Sequence, residues 1–108
     1  MSGATKAGRT MAVAFEHETE FLRECAKRYS GEIGFSPTAE RDFQSLGIVW
    51  SDIHQVLSAC RVVWSDKEDA ADTKSIVVGK TCDGERLRLT VIWGYPDYRL
   101  LVISVERL

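Results

Sequence analysis

The chain has 108 residues, 44% of them hydrophobic and 28% charged, enough for one domain that hides about two thirds of the surface its unfolded form would expose and too few for two. Its 14 Lys and Arg stand against 16 Asp and Glu, and this net charge of −2 excludes a protein that coats polyanions by overall charge while permitting a local basic site. No apolar run approaches the roughly 18 to 20 residues of a membrane span, and the patch at residues 11–15 is shorter than a signal-peptide core, so a cytoplasmic protein with no membrane partner is expected.

Residues 1–11 hold small and polar types without periodicity, and residues 1–14 read as a flexible tail, leaving residues 15–108 as a single α+β domain. From residue 15 to 29 the apolar positions Phe15, Leu22, Cys25, Ala26 and Tyr29, flanked by Phe21, follow helical spacing. Glu16, Glu18 and Glu20 at its start and Lys27 and Arg28 at its end suit the helix dipole, and Gly31 offers a stop.

Ser36-Pro37 predicts a second helix, since a serine hydroxyl caps free amides and proline suits the first helical position. Ala39, Phe43 and Leu46 form its inner face and Gly47 its end. Trp50-Ser51-Asp52 opens a third helix with Ile53, Val56, Leu57 and Cys60 inward, and the two are expected to form a helical hairpin. Glu40, Arg41, Asp42 and Asp52 are assigned to its solvated surface.

A short strand is expected at residues 61–64, then an exposed acidic loop at 65–73, then strands at 75–81, 86–93 and 100–106. Three successive strands imply an antiparallel meander of three to four strands with helices on one face. The last strand and the strand at 61–64 are its expected edges, open to a homodimer or to an added strand from a partner protein.

Asp83-Gly84 between two apolar runs predicts a two-residue type I′ hairpin turn. Cys82 then faces Glu85, and the pairs become Thr81 with Arg86, Lys80 with Leu87, Gly79 with Arg88 and Val78 with Leu89. One side would carry Ile76, Val78, Lys80, Leu87, Leu89, Val91 and Trp93 and pack on the helices. The other would carry Val77, Gly79, Thr81, Arg86, Arg88, Thr90 and Ile92 and stay open. Arg86 and Arg88 would then share the open face, across from a glycine that leaves approach to them unobstructed. Two adjacent guanidiniums invite an anion, or else surface acids such as Glu106. Residues 74–108 hold six basic and four acidic side chains, whereas residues 1–73 hold eight and twelve, so the cationic half is the sheet.

Cys25, Cys60 and Cys82 are odd in number and far apart, which favours three buried free thiols over a disulfide or a metal site, and no cofactor is implied. His54, among Ile53, Val56 and Leu57, reads as a structural histidine, and His17 sits in the acidic first helix.

The stretches Phe35-Ser36-Pro37-Thr38-Ala39-Glu40-Arg41-Asp42-Phe43 and Leu46-Gly47-Ile48-Val49-Trp50-Ser51-Asp52-Ile53 precede Val78-Gly79-Lys80-Thr81, the Asp83-Gly84 turn, Arg86-Leu87-Arg88-Leu89-Thr90-Val91 and Leu101-Val102-Ile103-Ser104-Val105. In this order they resemble a family of small bacterial proteins related to the RelE/ParE-like toxins, with a further likeness to MqsR in the last two strands. The resemblance covers residues 34–107 and leaves a first helix at 15–31 as an extension. Relatives often begin the helix with a His-Ala-x-x-Arg pattern. Here the stretch reads Thr38-Ala39-Glu40-Arg41, so no histidine role carries over, while Arg41, Gly79, Lys80, Arg86 and Arg88 match.

The resemblance implies a fold of the barnase-EndoU-colicin-RelE type. It also implies a metal-independent endoribonuclease in which the ribose 2′-hydroxyl attacks the adjacent phosphate, with RNA or a ribosome as target and an antitoxin-like protein as neutralising partner. Such chemistry needs a base, an acid and cations around the phosphate. Arg86 and Arg88 suit the cationic role, Lys80 and Tyr98 are the further catalytic candidates, and Arg41, Arg61 and Lys74 are the RNA-binding candidates. The alternative is a non-catalytic module of the same fold that binds RNA or protein.

Overall fold

The protein, described here as a computed structural model over residues 15–28, 33–67, 72–94 and 99–108, builds its helices where local chemistry directs them. Helix α1 runs Glu16–Arg28, with Glu16 and Glu18 in its first turn and Lys27 and Arg28 in its last. A three-residue strand β1, Ile33–Phe35, leads into α2, Pro37–Leu46. The Ser36 hydroxyl accepts from the Ala39 amide at 3.1 Å, and Gly47 ends the helix in the left-handed region at φ 67°. Helix α3, Trp50–Ser58, starts where the Asp52 carboxylate accepts from the Val49 amide at 3.3 Å. The expected tail at residues 1–14 and the stop at Gly31 lie outside the described residues.

Four longer strands follow: β2 (Arg61–Lys67), β3 (Thr73–Lys80), β4 (Arg86–Gly94) and β5 (Arg99–Arg107). The acidic stretch is therefore shorter than expected, because β2 and β3 pair as far as Lys67 with Thr73. The sheet has five strands in the order β1-β5-β4-β3-β2 and is mixed, since β1 runs parallel to β5 while the other neighbours are antiparallel. This corrects the expectation of a wholly antiparallel sheet of three to four strands. It also makes β1 and β2 the edges and places β5 in the interior.

Beyond the short β1, helix α2 satisfies the exposed backbone of β5. The Ser36 hydroxyl donates to the Ile103 carbonyl at 3.0 Å, and the Asp42 carboxylate accepts from the Val105 amide at 2.9 Å. Asp42 is thus part of the framework rather than solvated surface. The β2 edge is guarded similarly, its Val62 amide donating to the Thr19 hydroxyl of α1 at 3.1 Å.

All three helices of the described residues lie on one face. Helix α2 rests on β5 and β1, whereas α3 rests on β3 and against α1. The expected helical hairpin is therefore open, and Phe35 joins the two helices through edge contacts with Phe43 and Trp50 at 4.8 and 5.5 Å. Beneath them Leu22, Ile53, Val56 and Leu57 meet Val77, Leu87, Leu89, Val91 and Val102, all buried. Each such side chain contributes about 1.5–3 kcal/mol on burial. His54 donates from Nε2 to the Ala26 carbonyl at 2.9 Å and so ties α3 to α1, the structural role expected of it.

The hairpin between β3 and β4 departs from the expected register by one residue. Lys80 faces Arg86, Gly79 faces Leu87, Val78 faces Arg88 and Val77 faces Leu89. The turn holds three residues, Cys82, Asp83 and Gly84, with the Thr81 amide donating to the Glu85 carbonyl at 2.8 Å and Gly84 at φ 86°. The Thr81 hydroxyl accepts the Glu85 amide at 3.1 Å and steadies the bulged form.

A one-residue slip exchanges the faces of a strand. Strand β4 keeps the expected faces, but β3 is inverted: Ser75 and Val77 are buried, while Ile76, Val78 and Lys80 turn to the open side. Gly79 also points at the helices. A Cβ there would stand 2.9 Å from the Val56 carbonyl oxygen, so glycine permits the close approach of α3 rather than opening a path to the arginines.

Candidate nucleic-acid interface

The uncovered face of the sheet is organised by register into rows that cross the strands. At the hairpin end Lys80 stands directly opposite Arg86. The next row runs Arg61, Val78, Arg88 and Glu106 from β2 to β5. A third runs Trp64, Ile76, Thr90 and Ser104, and a fourth Asp66, Lys74, Ile92 and Leu101. The first two rows hold four cations against a single carboxylate, so the positive charge of the C-terminal half is gathered at one end of one face.

Within that end the cations differ in their surroundings. Arg88 is held by Glu106 in a two-pronged pair, Nε to Oε1 at 3.2 Å and Nη2 to Oε2 at 3.1 Å. The hydrogen bond, and then the charge, of Glu106 hold the Arg88 guanidinium even further above the ordinary arginine range. Both side chains remain well exposed, 42% and 56%, so solvent screens the pair. Arg86 makes no side-chain hydrogen bond or ion pair among the described residues, and it is exposed.

The structure thus brings together Lys80, Arg86, Arg88 and Arg61 of the expected site. Lys74 shares the face but lies two rows away, opposite Asp66. Arg41 is on α2, in the layer across the sheet, where its Nη2 donates to the Thr38 hydroxyl at 3.4 Å, and it does not join the others. Tyr98 lies outside the described residues. The expectation that Arg88 faces Gly79 is overturned; its neighbours are Val78 and Glu106.

Sequence reasoning left out Trp64. Its indole is 41% exposed on the open face, in the row beside the cations. The signal was present, a tryptophan ahead of a polar run on an edge strand, but its face depends on a bulge between Val62 and Trp64 that alternation does not reveal.

No metal is implied by the described residues, which hold no cluster of His, Cys, Asp and Glu fit for one. The three cysteines are free, and Cys25 and Cys60 are buried, but Cys82 is exposed at the hairpin tip, contrary to expectation, because the third turn residue moves it out of the ladder. Burial, aided by the nearby Glu24 charge, pushes the Cys25 thiol up to about 11, and burial does the same to Cys60 against a small opposing effect of Arg23. Among the described residues no helix is long and apolar enough to cross a membrane. Comparison with protein-family models, with curated proteins and with solved structures returned no match.

Proposed function

We propose that the open sheet face binds RNA, with Lys80, Arg86, Arg88 and Arg61 taking the phosphate backbone, and that the protein acts as a non-catalytic RNA-binding module. The observation that carries this reading is the pair of adjacent rows in which four cations face one carboxylate on an uncovered surface. A planar guanidinium grips two phosphate oxygens, and an ammonium serves as a mobile point charge. With an overall charge of −2, attraction to a polyanion falls to local patches such as this end of the sheet.

Anisotropy of a labelled RNA strand, followed across salt concentrations, tests it. Binding should weaken with added salt, and Arg86→Ala should lower the slope of log K against log salt by about 0.7 for a single strand. Binding indifferent to salt and to Arg86→Ala would refute the assignment.

A second reading, a toxin-like RelE-type endoribonuclease neutralised by an antitoxin, is favoured by one feature. Lys80 directly faces Arg86, which sets an amine for proton transfer beside a guanidinium for phosphate charge. The same incubation separates the two readings: 2′,3′-cyclic phosphate ends that vanish with Lys80→Ala would establish cleavage, and intact RNA would establish binding alone.

A further inference from the structure

Two irregularities in otherwise regular strands border the same row of the open face. Strand β2 is bulged between Val62 and Trp64, immediately before Trp64. Strand β5 is bulged where β4 passes from Thr90 to Val91, which leaves Ile103 unpaired next to Ser104. A bulge bends its strand and re-aims the side chains beside it. Between these two bends the sheet surface sinks into a hollow of about 580 Å³, lined by Trp64, Lys74, Ile76, Thr90, Ile103 and Ser104.

The chemistry of this lining differs from that of the cationic rows. One indole and two isoleucines supply flat apolar surface, two hydroxyls supply groups that both donate and accept, and Lys74, opposite Asp66, adds a single ammonium. A phosphate gains little from the apolar part of these walls, formed by Trp64, Ile76 and Ile103. A planar heterocycle gains stacking on the indole and hydrogen bonds at its edge. The row of Arg61 and Arg88 lies two residues along β3 and β4, about 7 Å away, within the reach of one nucleotide.

We propose that the hollow receives one unpaired base of an RNA strand whose phosphates lie on the adjoining cationic rows, so that the substrate class is single-stranded RNA. This rests on the RNA-binding reading above and deepens it. The ring stacks on Trp64 between Ile76 and Ile103, and Thr90 and Ser104 meet its polar edge. A hydroxyl that rotates between donor and acceptor serves every base, so the hollow selects for an unpaired base and tolerates its identity. A duplex, whose bases are buried in their own stack, is excluded from it.

The experiment compares three labelled probes of equal length against the full chain: an oligouridylate, the same ribose-phosphate strand without bases, and the oligouridylate paired in a duplex. The base-bearing single strand should bind on the order of tenfold more tightly than either of the others. Trp64→Leu should remove that advantage and leave binding of the abasic strand unchanged, while Trp64→Phe keeps most of it. Because Trp64 is partly exposed, the variants should melt as the parent does, which a thermal scan verifies. Salt-sensitive binding with no advantage for the base-bearing strand, or an advantage that survives Trp64→Leu, would overturn the hollow alone. Failure of all three probes to bind would overturn the RNA reading with it.

Discussion

Glu106 is the one carboxylate in the cationic rows, and its removal gives the sharpest test of the electrostatic argument. Glu106→Gln keeps the shape and one acceptor oxygen beside Arg88 but deletes the charge that now neutralises it. Arg88, which in the parent divides its charge between Glu106 and a phosphate, then gives all of it to the phosphate. For a single strand each contact steepens the dependence of log K on log salt by about 0.7, which corresponds to about fivefold tighter binding at 0.1 M salt and no gain near 1 M. The cost in stability is small, because both side chains are exposed and solvent screens the pair. Salt-dependent anisotropy on the parent and the variant, with thermal melts of both, measures the two quantities. An unchanged slope with equal or weaker affinity would show that Arg88 exists to pair with Glu106 and takes no part in binding.

Other perturbations probe the scaffold that presents this face. Gly79→Ala sets a methyl group against the Val56 carbonyl and should destabilise by about 1–3 kcal/mol, read from denaturant midpoints; an unchanged midpoint would mean that α3 moves aside freely. Asp42→Ala strands the Val105 amide at about 1–3 kcal/mol, and Asp42→Asn, which keeps an acceptor, should recover most of that loss. Thiol titration of the native protein should find Cys82 reactive and Cys25 and Cys60 protected until denaturant is added; three equally fast thiols would contradict the packing of α1 and α3. The raised thiols also carry a pH signature. From pH 9 to 11 the unfolded chain releases protons that folded Cys25 and Cys60 retain, so stability is full below about 9 and falls as pH climbs toward 11. Chemical denaturation across that range measures it, and a slope that persists after Cys25→Ala and Cys60→Ala would assign it to other groups.

The features legible in the chain are those whose cause is local. Ser36, Pro37 and Gly47 mark the ends of α2 because capping and left-handed backbone are decided within a few residues. The inward side of β4 follows from Leu87, Leu89, Val91 and Trp93 alternating with Arg86, Arg88, Thr90 and Ile92, a pattern in which only the first set is wholly apolar. The outward course of Arg86 and Arg88 comes with it, and Glu106 as a partner for Arg88 was among the readings that pattern left open.

What the tertiary structure alone decided concerns strands that lack such a pattern. Ile76, Val77 and Val78 are apolar in succession, so β3 has no preferred face of its own, and Asp83-Gly84 suits a turn of either two or three residues. Packing against α3 breaks the tie: the residue beneath Val56 must lack a side chain, and only the three-residue turn turns Gly79 inward. Strand β1 is three residues long and gains its identity from Leu100, Leu101 and Val102 far along the chain, an interaction no local window contains. The bulges that place Trp64 and Ile103 beside one hollow are likewise products of pairing between strands. Local propensity set out which residues could face the solvent on this protein, and long-range register chose which of them meet.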